Sequence, residues 1–361
     1  MTSTHLLTPE GRATLIGSLP VQSYSEALDL ILTHTPEIPL WPQLPGKPSA
    51  GMLQQFSENF PGFYEEDAKA LFRSNAPEFA QQQLDFFEEY LAVCAEPAYL
   101  DQSLFASSES RVPGIYYLRE RLTKRSLSGL WALKGQITGP FTLLTGLKDE
   151  EQRDAWYNPA IHEIAVKGLA LRAAWQVRFL AAIGVPVLVF LDEPALAGLG
   201  SSSYITVSLK EIGQDLDEVL TAIRKAGGLA GVHVCANTDW DFLLSRQLDI
   251  LSFDAYGYFD RLIGSKKAIH TLLERDGILA WGLVPTAEPE AISRETAESL
   301  AVRWEQQAKQ LTTDDWDLPR ILQQSLITPS CGTGSLTPKT ARRVLELTRD
   351  LAAILNSRFK N

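Results

Sequence analysis

Short apolar runs alternate along this chain with longer segments in which apolar residues recur every three or four positions. Residues 185–191 form a nearly continuous β-branched and aliphatic run, which is typical of a strand covered on both faces. Residues 161–183 carry the apolar stripe of a packed helix, and Gly184 follows as a stop signal. The alternation predicts a succession of strands, each followed by a helix.

The same pattern predicts about eight strand–helix units. The predicted strands are residues 13–16, 38–41, 130–137, 185–191, 229–234, 249–253, 278–283 and 325–327, and the main predicted helices are 26–34, 66–94, 115–122, 161–183, 209–226 and 337–356. Residues 44–66 interrupt the alternation and are predicted to form a hairpin-like insertion. We therefore predict one α/β domain over residues 1–361, a single closed (β/α)8 TIM barrel. A doubly wound open sheet is the alternative, but no Gly-x-Gly-x-x-Gly follows the first strand.

Composition limits the kinds of partner. The chain has 361 residues, 45% of them hydrophobic and 21% charged, which is the composition of a globular protein. Its net charge of −11 argues against a nucleic-acid partner. No apolar run approaches the roughly 20 residues needed to span a bilayer, and the polar start predicts no signal peptide. Three cysteines do not make a disulfide framework, so we expect a reducing, cytoplasmic setting.

Three residues with metal-binding side chains lie at predicted strand ends. His233 and Cys235 end one strand and are separated by one residue, so an extended backbone places both side chains on the same face. Cys331 follows the last predicted strand. One imidazole and two thiolates are ligands that suit zinc, and we predict a Zn²⁺ site at these residues. The alternative is a buried histidine beside two inert core cysteines.

Other polar residues also follow predicted strands. Gly17 and Ser18 follow the first strand, Asp192 and Glu193 follow the strand at 185–191, and Asp254 follows the one at 249–253. In a barrel these positions meet at the end where active sites are built. The two acids after residue 191 could instead cap the next helix, and Asp254 could be a cap or a surface residue.

These motifs together resemble the C-terminal catalytic barrel of cobalamin-independent methionine synthase, in the uroporphyrinogen decarboxylase and methionine synthase-like superfamily. The resemblance covers nearly the whole chain and rests on Ile16-Gly17-Ser18, Asp192-Glu193-Pro-Ala-Leu, His233-Val-Cys235, Asp254 and Cys331. It implies zinc at His233, Cys235 and Cys331, with Asp254 where the family has a glutamate ligand. It further implies that the backbone of Ile16, Gly17 and Ser18 holds the carboxylate of homocysteine. Asp192 would hold the ammonium group as a catalytic residue in methionine biosynthesis.

The chain departs from that family in ways that bear on the methyl donor. Residues 281–286 contain no histidine, whereas the family has a histidine-bearing loop there, and the family's N-terminal half has no counterpart in this sequence. The motif His-Val-Cys-Ala-Asn-Thr also resembles the zinc segment of corrinoid-dependent thiol methyltransferases. We therefore expect methylcobalamin or a methylated corrinoid protein as the donor.

Three alternatives stay open at this point. The first is a uroporphyrinogen decarboxylase-like enzyme, in which the metal-binding residues would be idle; no arginine cluster at the first strand supports it. The second is a corrinoid-dependent methyltransferase acting on a different thiol, such as coenzyme M. The third is a non-catalytic zinc or corrinoid-protein-binding module, although structural zinc is normally closed by four protein ligands.

Overall fold

The structure is a computed structural model that describes residues 7–47, 50–66, 69–200, 204 and 206–359. The strands are β1 Arg12–Ala13, β2 Phe63–Glu66, β3 Lys69–Phe72, β4 Leu133–Thr138, β5 Lys148–Asp149, β6 Val187–Asp192, β7 Leu229–Val234, β8 Ile250–Phe253, β9 Ile278–Val284 and β10 Ser325–Pro329. The helices are α1 Tyr24–His34, α2 Phe79–Ala95, α3 Pro113–Thr123, α4 Pro140–Gly146, α5 Pro159–Ala181, α6 Leu209–Lys225, α7 Trp240–Leu244, α8 Ala255–Leu262, α9 Lys266–Glu274, α10 Pro289–Arg294, α11 Ala297–Lys309, α12 Leu318–Gln323 and α13 Pro338–Phe359. Within the described residues, no helix is both long and apolar enough to cross a membrane.

Seven of the strands form one parallel sheet in the order β1-β10-β9-β8-β7-β6-β4. The sheet is curled, as shown by the approach of both of its edges to the same short segment, residues 37–43. On one side Lys134 N donates to Pro39 O at 3.0 Å, and on the other Gln43 N donates to Gly17 O at 3.0 Å. The predicted α/β architecture with a parallel, barrel-like sheet is confirmed.

The predicted closed eight-stranded barrel is not formed. The strand expected at residues 38–41 is absent, and segment 37–43 pairs with its neighbours through the isolated bridges Leu40–Lys134 and Ser18–Gln43 instead of a continuous ladder. Pro39 and Pro42 explain the difference, because proline has no N–H to donate to a ladder on either side.

Side-chain parity separates the outer and inner faces of the sheet. In β6, Val187, Val189 and Leu191 join the large core that the helices cover. Leu188 and Phe190 instead belong to a smaller cluster inside the curl. The next inward position after 188 and 190 is Asp192, so strand geometry alone directs this carboxylate to the inside at the carboxyl end.

The early part of the chain differs from the prediction in detail. The hairpin pairs β2 with β3, with Phe63 opposite Phe72, so it extends beyond the insertion predicted at about residues 44–66. The helix expected over 66–94 begins only at Phe79. Packing of the two paired aromatic rings, whose centroids lie 5.9 Å apart, favours the hairpin over a helix here.

Candidate metal centre and substrate pocket

The structure brings the three predicted metal-binding residues together. The ligand atoms of His233, Cys235 and Cys331 all lie within 4.8 Å of one another. His233 is on β7, which ends one residue before Cys235, and Cys331 lies two residues past the end of β10. The site therefore lies at the carboxyl edge of the sheet, where the sequence predicted it.

His233 is oriented as a metal ligand would be. Its Nδ1 lies 2.9 Å from Ser252 Oγ, the inward residue of the neighbouring strand β8. Its Nε2 is buried and has no hydrogen-bond partner among the described residues. The hydrogen bond on one ring nitrogen orients the other nitrogen for coordination, and a buried unpaired nitrogen is costly without a ligand. The donor set of one imidazole and two sulfurs thus fits Zn²⁺.

The two cysteines are electronically unequal. A hydrogen bond from Cys331 favours the thiolate of Cys235 and lowers the pKa of Cys235. The same hydrogen bond, together with burial, raises the pKa of Cys331. A cation bound between the two sulfurs would favour the thiolate form of both cysteines.

Ser18 is held against the loop that carries Cys331. Thr333 N donates to Ser18 O at 3.0 Å, and Gly334 N donates to Ser18 Oγ at 3.2 Å. A Cβ atom at Gly332 would overlap the Ser18 hydroxyl, so only glycine permits this approach. The glycine-rich loop therefore joins the first and last strand ends around the metal centre.

A pocket of about 390 Å³ opens beside these residues. It is lined by Ile16, Ser18, Gln43, Pro45, Ala50, Met52, Gln55, Asp192, Pro194, His233, Cys235, Cys331, Gly332, Gly334 and Ser335. Predicted substrate-binding residues Ile16, Ser18 and Asp192 are thus in the same cavity as the metal centre, while Gly17 lines a small adjoining cavity.

Asp192 is the acidic group of this pocket. Its carboxylate is buried, and Oδ1 has no hydrogen-bond partner among the described residues. Burial raises the pKa of Asp192, while electrostatic interactions with His233 and Lys134 oppose that rise. A buried carboxylate with an unpaired oxygen, on a residue that lines a cavity, is suited to a cationic or hydrogen-bond-donating group of a ligand.

Lys134 is a site residue that the sequence analysis missed. It is the inward residue of β4, fully buried, and its Nζ donates to Ile16 O at 2.7 Å. Burial lowers the pKa of Lys134 to about 8, although the charge of Asp192 opposes this shift. This hydrogen bond from Lys134 therefore holds the backbone at Ile16, just after the first strand. The sequence did contain a signal for this residue, namely a lysine at an inward position of a strand that is predicted to be buried.

Glu193 has a different role from its neighbour Asp192. Its carboxylate accepts hydrogen bonds from Phe141 N at 3.0 Å and Thr142 N at 2.9 Å, in the first turn of α4. Burial raises the pKa of Glu193 to about 7, against the effect of these hydrogen bonds. A Cβ at Gly139 would overlap this carboxylate. Glu193 therefore stabilises the N-terminus of α4 and does not cap the 3-10 helix Pro194–Gly198 that follows it.

Asp254 lies close to the candidate metal centre, but its carboxylate caps the helix that follows it. Its Oδ1 accepts from Gly257 N at 2.8 Å, so Asp254 is the N-cap of α8. Burial raises the pKa of Asp254, and the nearby His233 opposes that rise. The group of ligand atoms within 4.8 Å of one another comprises only His233, Cys235 and Cys331 among the described residues. Its assignment as a fourth ligand stays a prediction, because ligation would compete with the cap.

One side of the pocket comes from the insertion, which the sequence did not link to the site. Ala50, Met52 and Gln55, which we call the insertion wall, line the cavity. Thr138 Oγ1, at the carboxyl end of β4, donates to Met52 O at 2.6 Å and so attaches this wall to the sheet. This hydrogen bond joins positions 86 residues apart, and no local sequence pattern predicts it.

Comparison with known proteins gives little to place beside this site. No protein-family model matches the chain, and no curated protein matches it. Among solved structures, one similar chain is a B12-independent methionine synthase from Shewanella sp. W3-18-1 in complex with selenomethionine, at 16% identity and a TM-score of 0.48. The match covers 68% of this chain and 66% of that chain, less than two thirds of its length. The function is therefore inferred from the site itself.

Proposed function

We propose that this protein is a zinc-dependent methyltransferase that moves a methyl group to the sulfur of homocysteine, giving methionine. The observation that carries this proposal is the cluster of His233, Cys235 and Cys331 within 4.8 Å at the side of a cavity. Three protein ligands facing an open cavity are typical of a catalytic zinc site, whereas a structural zinc has four.

Bound zinc would supply the acidity that converts the substrate thiol to a thiolate at neutral pH. His233, Cys235 and Cys331 would hold the metal, and Asp254 is proposed as a weaker fourth ligand. The two sulfur ligands would keep the site electron-rich, which preserves the nucleophilicity of a bound thiolate. Ser252 holds the His233 ring through Nδ1.

The remaining residues of the pocket would orient the amino-acid part of the substrate. Asp192 is proposed to bind the ammonium group with its unpaired Oδ1. The backbone of Ile16, Gly17 and Ser18 is proposed to receive the carboxylate, and Lys134 supports that backbone through Ile16 O. Fixing both ends of the amino acid would align its sulfur for in-line attack on a methyl group.

The proposed donor is a methylcorrinoid, free or bound to a protein. Support comes from residues 281–286, where no histidine is present and where Thr286 is buried and hydrogen-bonded to Ser330 at 2.9 Å. This segment therefore offers no imidazole to assist transfer from a folate.

The test combines metal analysis with an anaerobic assay of homocysteine methylation. We expect about one zinc per chain, and methionine from methylcobalamin but not from methyl-tetrahydrofolate. Methionine from the folate alone would overturn the donor and leave the zinc site standing. Tetrapyrrole decarboxylation by metal-free protein would overturn the proposed function altogether.

A further inference from the structure

A buried amide in the pocket has no partner within the protein. Gln55 lies in the 3-10 helix Gln54–Phe56, is only 1% exposed, and lines the cavity beside the metal centre. Its Nε2 has no hydrogen-bond partner among the described residues. A buried amide donor left unpaired is destabilising, so its retention beside a cavity indicates a ligand that completes it.

The other polar groups of the cavity define what that ligand carries. Asp192 Oδ1 is an unpaired acceptor, which suits a donor group. The Ser18 hydroxyl accepts from Gly334 N, so its own proton is available to the cavity. The residues that line the cavity include no lysine or arginine. An anionic group of the ligand must therefore be bound by neutral donors.

We infer that Gln55 donates from Nε2 to the carboxylate of an amino-acid thiol and makes this pocket selective for thiols that carry one. The inference rests on the proposed function and deepens it. Asp192 already supplies a carboxylate for the ammonium group. Ser18, Gln43 and Ser335 also line the cavity and can donate a hydrogen bond, but Gln55 alone among these four residues is buried. Amide oxygen and nitrogen exchange places by a rotation of the side chain, so the test must distinguish a donor from an acceptor.

The experiment titrates three thiols into the zinc-loaded protein by anaerobic calorimetry. Homocysteine has both charged groups, 4-mercaptobutyrate lacks the amine, and 3-aminopropanethiol lacks the carboxylate. Gln55→Leu should weaken homocysteine and 4-mercaptobutyrate about tenfold and leave 3-aminopropanethiol within about twofold. Gln55→Glu removes the donor and adds a like charge, so it should weaken the two carboxylates further.

Gln54→Leu is the matched control, because Gln54 is in the same 3-10 helix but does not line this cavity. Equal losses for all three thiols in Gln55→Leu, no loss at all, or tighter homocysteine binding by Gln55→Glu would overturn the inference. If the zinc-loaded wild type binds none of the thiols, the proposed function fails and the inference falls with it. Wild-type binding without the predicted selectivity overturns the inference alone.

Discussion

The pocket has two sides that are built in different ways. His233, Cys235 and Cys331, which we call the strand wall, lie at or within two residues of the ends of strands that are paired on both sides. The insertion wall, Ala50, Met52 and Gln55, is held by contacts such as the one from Thr138 to Met52 O. Ligand geometry for a metal requires the first kind of support, because an error of a fraction of an ångström matters there.

The difference in support suggests different roles for the two walls, metal binding for the strand wall and the choice of thiol for the insertion wall. A strand end places a ligand with little freedom, whereas a loop segment can change sequence without disturbing the sheet. We therefore expect changes in the strand wall to remove the metal and changes in the insertion wall to alter which thiol is bound.

The strongest test of the comparison removes one sulfur from the strand wall. Cys235→Ser or Cys331→Ser should abolish zinc binding, because an alcohol is a poor replacement for a thiolate ligand. Zinc content is measured after dialysis, with Cys94→Ser as the matched control, since Cys94 is exposed and outside the site. Full zinc occupancy in the double variant would refute the site.

Asp254 provides a weaker version of the same test. Asp254→Ala should lower zinc affinity less than loss of either cysteine. Asp254→Asn retains a side chain that can cap α8, so comparing the two variants separates helix capping from ligation. Equal zinc affinity in wild type and both variants would exclude Asp254 as a ligand.

The next largest effect is expected at Asp192. Asp192→Asn removes the charge proposed to bind the ammonium group, so the KM for homocysteine should rise about 10- to 100-fold. Zinc content should stay unchanged, and affinity for 4-mercaptobutyrate, which has no amine, serves as the internal control. An unchanged KM for homocysteine would contradict the assignment.

Glu193 makes a prediction about pH. Its folded pKa of about 7 lies above its usual 4.5, so the folded chain retains the proton longer than the unfolded chain. Stability from this group is therefore full below pH 4.5 and falls as the pH rises to about 7, by about 3 kcal/mol in total.

Glu193→Gln cannot titrate, so the free energy of unfolding of wild type minus variant should decrease by that amount from pH 4.5 to 7.5. Denaturant unfolding at several pH values measures it, with Glu290→Gln on exposed α10 as the control. A difference that does not vary with pH would show that the pKa of Glu193 is the same in the folded and unfolded chain, and would contradict the prediction.

The smallest effect concerns the attachment of the insertion wall. Thr138→Val removes the hydrogen bond to Met52 O and should reduce the free energy of unfolding by about 1 kcal/mol. Zinc content should not change, while the KM for homocysteine should rise several-fold. Thr123→Val, at the exposed end of α3, is the matched control. Loss of zinc in Thr138→Val would contradict the separation of the two walls.

Sequence alone could predict the strand wall but not the insertion wall. The period of two in β6 and β7 places Asp192 and His233 inward, and only local pattern is needed to see it. Gln55 gains its role from contacts with distant segments, which no local pattern encodes, whereas Lys134 was visible as a lysine in a strand predicted to be buried. The missing strand is a different case, because Pro39 and Pro42 were visible in the sequence and opposed it.

Segment 37–43 closes the curled sheet through one isolated bridge to each neighbour, whereas β6 and β7 share a full ladder. We therefore expect local opening of the sheet to require less free energy at this segment than between β6 and β7. Ser18 and Gln43, which form one of the bridges, also line the pocket. A ligand that contacts both residues would hold segment 37–43 against the end of the first strand. Ligand binding and closure of the sheet at this segment are therefore thermodynamically linked.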